Sequence, residues 1–454
     1  MSFESIDPAT GRQLASYPVW GDAELERALD EAAEAAPGWA AKPVAERCGV
    51  LGSVATVLRE RAGELATLIT REMGKLRREA LAEVEKCALV CDYYAQHGPR
   101  FLADEPVESD ASRSYVAYQP LGTVLAVMPW NFPFWQVFRF AAPALVAGNG
   151  GLLKHASNVP QCALAIEEVF REAGLPQGVF RTLMIRAAQV RGVIEDPRVH
   201  AVTLTGSEPA GRQVAAAAGG ALKKSVLELG GSDPFIVLED CDLEHTIQQA
   251  VASRFLNAGQ SCIAAKRFIV LEKIADTFLE RFRSAVEALR PGDPMQDETT
   301  LAPMARTDLR DELHRQVMDS IAQGAVAVTG CAPLEGPGAF YLPSILDRVT
   351  PETRAYHEEL FGPVASIIRA RDEKQALEIA NSSRFGLGGS VWTADPARGE
   401  RLARRIQSGC CFVNGMVKSD PRLPFGGIKA SGYGRELSHH GIHEFVNAKT
   451  IWIR

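Results

Sequence analysis

One cysteine stands in a setting that suits chemistry. Residues 257–262 end a helix-like run and place Cys262 after a Gly-Gln-Ser turn, shortly before the strand-like residues 267–270. A thiolate at such a turn could act as a nucleophile. However, a free cysteine also packs like a small hydrophobic side chain, and most cysteines are inert. The segment alone leaves both interpretations open.

Glu228 is a candidate for the group that assists this thiol. It lies in the apolar run 226–231, and a carboxylate in apolar surroundings tends to have a raised pKa, which suits a general base. A glutamate exposed at a strand end fits the pattern equally well. No histidine lies in a loop that singles it out, and the histidines of 439–443 are typical of a solvated helix face. Because neither H-E-x-x-H nor paired C-x-x-C spacing occurs, we predict no metal site of the zinc type.

Residues 206–211 form a possible phosphate loop. They follow a predicted strand and open a helix, where unpaired N–H groups and the helix dipole favour an anion. They match the first half of a P-loop, but Arg212 and Gln213 replace its lysine and hydroxyl residue, which argues against triphosphate hydrolysis. The dinucleotide fingerprint G-x-G-x-x-G follows none of the predicted strands. A phosphate site and an ordinary tight turn therefore both remain open.

The elements that must position these residues follow two α/β series. The first hundred residues are mostly helical and include a long predicted helix at 44–74. Strands then alternate with helices from Gly122, and a second series begins after Gly230, which predicts parallel sheets covered on both faces and a cleft between two domains. Two strand-like segments, 112–118 and 448–454, lie outside this rhythm and are candidates for pairing across a subunit interface.

Length and composition restrict the class of protein. A chain of 454 residues exceeds the size of one hydrophobic core, so we expect two or more domains. The net charge of -7 argues against a nucleic-acid partner, and without a run of about 18 apolar residues we expect no membrane span. The first residues lack the basic and apolar regions of a signal peptide. Nine scattered cysteines fit a reduced, cytoplasmic protein.

Six short motifs occur in one order along the chain. They are Pro-Trp-Asn-Phe-Pro at 129–133, Thr-Gly-Ser at 205–207, Glu-Leu-Gly-Gly at 228–231, Gly-Gln-Ser-Cys at 259–262, Glu-Leu-Phe-Gly-Pro at 359–363 and Pro-Phe-Gly-Gly-Ile-Lys at 424–429. Together they resemble the NAD(P)-dependent aldehyde dehydrogenase superfamily over essentially the whole chain. Within it, the chain is most similar to the short bacterial succinate-semialdehyde dehydrogenases.

The resemblance implies an α/β fold of three parts. A variant Rossmann domain for the cofactor would comprise 1–107 and 121–229, which would explain the missing fingerprint. An α/β catalytic domain would comprise 230–430, and a small strand-based oligomerisation element 108–120 and 431–454. It also implies a homodimer or homotetramer.

The resemblance gives three residues roles in the reaction. Cys262 resembles the nucleophile that attacks an aldehyde to give a thiohemiacetal and, after hydride transfer to the nicotinamide, a thioester. Asn131 resembles the side-chain half of the oxyanion hole, with the backbone N–H of Cys262 as the other half. Glu228 resembles the base that activates the hydrolytic water, which implies release of a free acid rather than transfer to coenzyme A.

Positions for the cofactor, NADP or NAD, carry over from the same resemblance. They are Trp130, Asn131, the segment Lys154, His155, Ala156 and Ser157, then Gly206 and Ser207 at the pyrophosphate, Leu229 at the nicotinamide and Glu359 on a ribose. Many relatives carry an acidic residue at position 157, which would bind the 2′-hydroxyl of NAD and repel the 2′-phosphate of NADP. Because Ser157 removes that repulsion and Lys154 attracts phosphate, we expect NADP to be accepted and NAD not to be excluded.

Arg139 and Ser419 are candidates for binding the substrate. Arg139 lies in an otherwise apolar helix-like stretch, where a surface charge would fit as well as an anion site. In succinate-semialdehyde dehydrogenases a matching arginine and serine hold the substrate carboxylate, and a guanidinium suits that contact. The resemblance therefore implies oxidation of succinate semialdehyde to succinate. Another semialdehyde, a broad range of aldehydes, a cysteine hydrolase without cofactor and a non-catalytic family member remain alternatives.

Overall fold

The computed structural model describes residues 2–454, in which helices dominate the first hundred residues and later alternate with strands. The helices are α1 (Asp22–Ala40), α2 (Val44–Glu60), α3 (Ala62–Met73), α4 (Arg77–Phe101), α5 (Trp135–Val146), α6 (Pro160–Glu172), α7 (Val190–Glu195), α8 (Glu208–Gly220), α9 (Leu243–Phe255), α10 (Glu272–Glu287), α11 (Thr307–Ala322), α12 (Arg354–His357), α13 (Glu373–Asn381), α14 (Pro396–Ala403) and α15 (Ser438–His443). Over the described range, none of these helices is both long and apolar enough to cross a membrane.

The strands fall into two large sheets and three small ones. They are β1 (Ser2–Ile6), β2 (Gln13–Pro18), β3 (Glu105–Pro106), β4 (Arg113–Pro120), β5 (Thr123–Val127), β6 (Gly150–Lys154), β7 (Phe180–Thr182), β8 (Ala201–Thr205), β9 (Lys224–Glu228), β10 (Asp233–Val237), β11 (Ala265–Leu271), β12 (Val326–Thr329), β13 (Ser344–Asp347), β14 (Val364–Ala370), β15 (Phe385–Gly386), β16 (Ser390–Trp392), β17 (Phe412–Val413), β18 (Ile428–Lys429), β19 (Gly432–Tyr433) and β20 (Val446–Ile453).

The first large sheet has the strand order β19-β9-β8-β5-β6-β7. Its strands are parallel except β19, which pairs antiparallel with β9. Along β5, Val124 and Ala126 pack into one hydrophobic cluster while Leu125 packs into another. Because successive side chains point to opposite faces, both faces of this strand are buried, as its continuous apolar sequence predicts.

The second large sheet has the order β12-β13-β14-β11-β10-β16-β17 and is parallel except for β12. Along β11, Phe268 and Val270 face one cluster, whereas Ile269 and Leu271 face the other. The two sheets correspond to the two α/β series of the sequence, with parallel strands in each.

The two strand-like segments outside the α/β rhythm pair with each other. Strand β20 runs antiparallel to β4 from Val446 opposite Pro120 to Ile453 opposite Arg113, and β3 completes this small sheet. Most of β20 is exposed. The short β19 instead extends the first large sheet beside β9. The domain boundaries given above and the oligomerisation role stay predictions.

The helix predicted at 44–74 is divided in the structure. Arg61, with φ -98° and ψ 9°, separates α2 from α3. Its guanidinium lies 3.2 Å from Glu168 and 3.0 Å from Glu172 on α6. The sequence pattern did not reveal this break, because the ion pairs that hold it come from a segment about a hundred residues away.

Candidate functional site

Cys262 follows a turn whose backbone adopts an unusual conformation. Asn257, Ala258 and Gly259 have φ angles of 54°, 51° and 72°. This left-handed region costs energy for residues other than glycine, so contacts must hold the turn. Arg254, fully buried in the last turn of α9, makes them. Its guanidinium donates to the backbone carbonyls of Gly259, Leu360, Gly362 and Ala265.

The Cys262 side chain lies where two cavities meet. The sheet-edge cavity, of about 270 Å³, lies at the carboxyl ends of β5, β8 and β9. Beside Cys262 it is lined by Trp130, Asn131, Gly206, Ser207, Leu229 and Glu359. In parallel sheets, ligands bind outside the carboxyl ends of the strands, at the point where the strand order reverses. The chain goes from β5 to β6 on one side and later to β8 on the other, so this cavity lies at such a point.

The second cavity, the helix-side cavity, has a volume of about 500 Å³. It lies between α4, α5 and the loop before the Pro-Phe-Gly-Gly motif, and beside Cys262 its lining includes Lys86, Trp135, Arg139, Ser419 and Phe425. Because Cys262 lines both cavities, a molecule in either one would lie beside this residue.

The surroundings of Cys262 keep its thiol protonated. Burial raises the pKa of this thiol to about 12; the charges of Arg139 and Lys266 lower it, while Glu359 and Glu228 raise it further. Lys266 also donates to the carbonyl of Cys262 at 2.8 Å. A thiolate is the reactive form of cysteine, so deprotonation must accompany or precede any attack by this residue.

Asn131 is fixed on the opposite side of the turn. Its Nδ2 donates to the carbonyl of Gln260 at 3.1 Å, and its own carbonyl accepts from Asn257 at 2.7 Å and from Lys75 at 3.2 Å. An amide nitrogen carries two hydrogens. The contact with Gln260 uses one of them, which leaves the second for a ligand of the sheet-edge cavity.

A buried ion pair supports Asn131 from behind. Lys75 pairs with Glu83, and both side chains are almost completely buried. The other oxygen of Glu83 accepts from the backbone N–H groups of Phe134 and Trp135, each at 2.9 Å, at the start of α5. A carboxylate at a helix N-terminus satisfies unpaired N–H groups and the helix dipole. Glu83 thereby joins α4 to the helix that carries Arg139.

Glu228 is the last residue of β9 and is only 2% exposed. Neither of its carboxylate oxygens has a hydrogen-bond partner in the described residues. Burial, and after it the nearby Glu436, raise its pKa well above the ordinary range, whereas Arg139 and Arg435 lower it. A Cβ atom on Gly426 would lie 2.7 Å from Oε1, so that glycine makes room for the carboxylate. Among residues 2–454, Glu228 lies behind the lining of the two cavities rather than in it.

The sheet-edge cavity has features that fit a dinucleotide. The thirteen-residue helix α8 begins directly after Ser207, so its first N–H groups are available to an anion. Glu359 lies against Gly230, where any Cβ would clash with the carboxylate. Its Oε1 accepts from the N–H of Gly231 at 3.2 Å and lies 3.0 Å from Lys266. These contacts hold a carboxylate at the cavity edge, in a position suited to ribose hydroxyls.

Lys154 and Ser157 line a different cavity, of about 500 Å³, beyond the end of β6. Burial lowers the pKa of Lys154. Arg186 and Arg306 border the same cavity. Sequence reasoning did not identify these two arginines, since they come from loops far apart in the chain.

His155 and Ala156 border none of the three cavities within residues 2–454. The His155 Nε2 lies 2.9 Å from the carbonyl of Pro133, and its Nδ1 accepts from the N–H of Ala156 at 2.8 Å. Burial lowers the pKa of His155 to about 4, so the imidazole is neutral. The structure thus gives His155 a contact that holds the Pro-Trp-Asn-Phe-Pro loop, and its binding role stays a prediction.

Arg139 lines the helix-side cavity but is already engaged with protein groups. It forms a buried ion pair with Glu436, and the two side chains are 2% and 5% exposed. Its Nη2 lies 3.3 Å from the hydroxyl of Thr205, and the guanidinium lies 4.6 Å from the centre of the Phe425 ring. The arginine therefore belongs to the cavity wall, with its charge balanced by a carboxylate.

Ser419 borders the same cavity and accepts a hydrogen bond of 2.7 Å from Lys86 on α4. The Lys86 ammonium also lies 4.2 Å from the centre of the Trp135 ring. Burial, and then the charge of Arg139, lower the pKa of Lys86 to about 8. Sequence reasoning missed Lys86, because a single lysine in an amphipathic helix resembles an ordinary solvated residue.

A thiol between a cavity suited to a dinucleotide and a second cavity of substrate size defines a class of oxidoreductase. Comparison with known proteins identifies the family to which the chain belongs. The model of the aldehyde dehydrogenase family matches residues 1–451. A protein of Synechocystis sp. named probable succinate-semialdehyde dehydrogenase (NADP(+)) is 52% identical over 453 residues, covering 100% of both chains. The Escherichia coli succinate semialdehyde dehydrogenase (NAD(P)+) Sad is 51% identical over 99% of this chain and 97% of its own.

A solved structure gives the same result. Succinic semialdehyde dehydrogenase from Streptococcus pyogenes, in complex with NADP+ as the cofactor, matches with a TM-score of 0.98 and 40% identity over 99% of each chain. The present chain belongs to the aldehyde dehydrogenase family. The predicted fold class and enzyme class are confirmed. The roles of individual site residues stay predictions.

Proposed function

We propose that this protein oxidises succinate semialdehyde to succinate with NADP+, and that it also accepts NAD+. The observation that carries this proposal is the position of Cys262 at the meeting point of two cavities. One cavity is lined by six residues at predicted cofactor positions. The other combines Arg139, Ser419 and apolar rings, a lining suited to a short aldehyde with a carboxylate end. The names of the relatives support the same substrate and cofactor.

The chemistry begins with addition of the Cys262 thiolate to the aldehyde carbon. The developing alkoxide would receive the second hydrogen of the Asn131 amide, whose first hydrogen is held by Gln260. A nicotinamide held in the sheet-edge cavity would supply the acceptor for a hydride from the substrate carbon. The residue then carries a thioester, which water must hydrolyse to release the acid.

Glu228 is the proposed base for that hydrolysis. In the structure, burial and then the nearby Glu436 raise the pKa of Glu228 well above its ordinary range, which favours the protonated carboxyl group. Water entering beside the thioester would reduce the burial, and the pKa would fall toward its ordinary range. Glu228 could then take the proton of the attacking water.

For the cofactor, we propose that the remaining predicted positions bind as the resemblance implies. Trp130, Gly206, Ser207, Leu229 and Glu359 would hold the dinucleotide in the sheet-edge cavity. Lys154 and Ser157 would receive the 2′-phosphate of NADP+, since no acidic side chain stands at position 157. Kinetics with both cofactors test this proposal, and undetectable turnover with NADP+ would contradict it.

The substrate is tested with a panel of aldehydes followed at the absorbance band of the reduced nicotinamide. The panel contains succinate semialdehyde, glutarate semialdehyde and neutral aldehydes of similar length. The highest kcat/KM is expected for succinate semialdehyde. Equal values across the panel would indicate a broad aldehyde dehydrogenase instead.

We also propose a homodimer or homotetramer that works in the cytoplasm. The outer strand β20 is largely exposed, and Trp452 and Ile453 on it are 50% and 42% exposed, which suits pairing with a second copy. All nine cysteines are free, as expected in a reducing compartment. Light scattering of the purified protein tests the assembly, and a monomer would contradict the proposed oligomer. Cell fractionation tests the location, and a tagged chain outside the cytoplasm would contradict the proposed cytoplasmic site.

A further inference from the structure

Among the cations that line the helix-side cavity, Arg139 and Lys86 differ in how their charges are compensated. Arg139 is paired with the buried carboxylate of Glu436 and also contacts Thr205. A ligand carboxylate approaching Arg139 therefore meets a pair of groups with little net charge. Lys86 forms no ion pair with any residue in the range 2–454. It retains a full positive charge at the cavity wall when protonated.

The contact between Lys86 and Ser419 creates two donors at one point. An ammonium group can only donate, so in the 2.7 Å hydrogen bond the Ser419 oxygen is the acceptor. The hydroxyl hydrogen of Ser419 is then free to donate elsewhere. Two ammonium hydrogens of Lys86 are also free. The pair can thus present a charged donor and a neutral donor to the two oxygens of one carboxylate.

The other ionisable groups around Lys86 do not neutralise it directly. They come from three elements: Glu83 and Cys87 on α4, Arg139 on α5, and Asp420 in the loop after Ser419. Glu83 is committed to Lys75 and to the start of α5. Asp420 is held by Arg422, whose Nε lies 2.8 Å from its Oδ1. The nearest carboxylates therefore already have partners.

We propose that Lys86, with the hydroxyl of Ser419, binds the carboxylate of the substrate and sets the preference for aldehydes that carry an acid group. This inference rests on the proposed oxidation of a semialdehyde. The reacting carbon lies at Cys262, and the carboxylate occupies the Lys86–Ser419 pair in the same cavity. Arg139 adds N–H donors there, while Glu436 balances its charge.

The inference predicts how selectivity depends on pH. The pKa of Lys86 is lowered to about 8, so most of its charge in the free enzyme is present at neutral pH and is lost as the pH rises through that value. Succinate semialdehyde keeps its negative charge over this range. Preference for it should therefore decline in mildly alkaline solution, whereas an arginine at position 86 would keep its charge.

The experiment compares kcat/KM for succinate semialdehyde with kcat/KM for its neutral methyl ester. This ratio cancels effects on Cys262 and the cofactor, which both substrates share. In Lys86→Met the ratio should fall about 10- to 100-fold, the usual effect of losing a charge-assisted hydrogen bond. In the wild type it should decline above about pH 8, and in Lys86→Arg it should stay level. Lys418→Met, which removes an exposed charge at the same cavity, should change the ratio less than about twofold.

Each outcome decides between the proposals. If the ratio in Lys86→Met equals that of the wild type, and the variant unfolds at the wild-type temperature, the proposed role of Lys86 is wrong while the proposed substrate stands. A decline with pH that persists in Lys86→Arg overturns it as well. A wild-type ratio near one, with good turnover of the ester, overturns the proposed substrate and this inference together.

Discussion

The two cavities that meet at Cys262 are built in different ways. The sheet-edge cavity is formed by short loops at the carboxyl ends of neighbouring parallel strands, and its lining includes the small residues Gly206, Ser207 and Gly230. The helix-side cavity is formed by long side chains from α4, α5 and the loop at 416–419, which are distant in sequence. This difference suggests that cofactor binding depends on the fold itself, whereas substrate choice depends on a few side chains.

The two cavities also differ in how their charges are balanced. At the sheet-edge cavity, Glu359 and Lys266 form a pair that balances itself. At the helix-side cavity, Arg139 is balanced by Glu436, but Lys86 is not balanced. A net positive charge on the substrate side would select an anionic aldehyde, and variants on each side should therefore affect different properties.

Removing the Cys262 thiol, which lies at both cavities, should have the largest effect. Cys262→Ala should lower turnover by at least about 10⁴-fold, because no other group can form the covalent intermediate. Affinity for NADP+ should remain, since the other lining residues of the sheet-edge cavity are unchanged. Absorbance kinetics and calorimetric titration with NADP+ measure the two properties. Turnover within tenfold of the wild type would show that Cys262 only fills space.

Glu228→Gln should separate the two half-reactions. We expect one rapid burst of reduced cofactor, followed by steady turnover that is about 10²- to 10⁴-fold slower, because hydrolysis of the thioester loses its base. Stopped-flow absorbance resolves the burst from the slow phase. Loss of the burst itself would mean that Glu228 is needed before hydride transfer.

Ser157→Glu should affect the cofactor alone. The new carboxylate would repel the 2′-phosphate, and kcat/KM for NADP+ should fall about 10- to 100-fold while that for NAD+ is maintained. Ser157→Ala is the control that removes the hydroxyl without adding charge. The preference among aldehydes should not change in either variant. A simultaneous change in aldehyde preference would contradict the expectation that the two cavities control different properties.

The response of the nucleophile to pH should be gradual. Because the pKa of Cys262 is raised to about 12, the reactive thiolate is the minor form at neutral pH, and its fraction grows as the pH rises. With the neutral ester as substrate, kcat/KM should increase from about pH 7 to about pH 9, by at most about tenfold per pH unit. A plateau below about pH 8 would indicate that the bound cofactor lowers the pKa of the thiol.

Strand and helix patterns in the sequence predicted the parallel sheets, because these patterns are local. The expected cofactor positions and the role of Cys262 came instead from the resemblance to the family, and the roles of these residues stay predictions. The sequence did not reveal Lys86 or Glu436, whose significance arises from contacts between distant segments: Lys86 with Ser419, and Glu436 with Arg139. It also missed the break at Arg61, which depends on ion pairs with α6. Local periodicity carries no information on such long-range pairs of side chains.

The most direct test of the account is to trap the intermediate. Glu228→Gln is mixed with NADP+ and succinate semialdehyde, quenched in acid after the burst, digested and examined by mass spectrometry. The account predicts that the peptide containing Cys262 gains the mass of one succinyl group, in an amount that matches the reduced cofactor formed. Reduced cofactor without this adduct, or an adduct on another cysteine, would contradict the central role of Cys262.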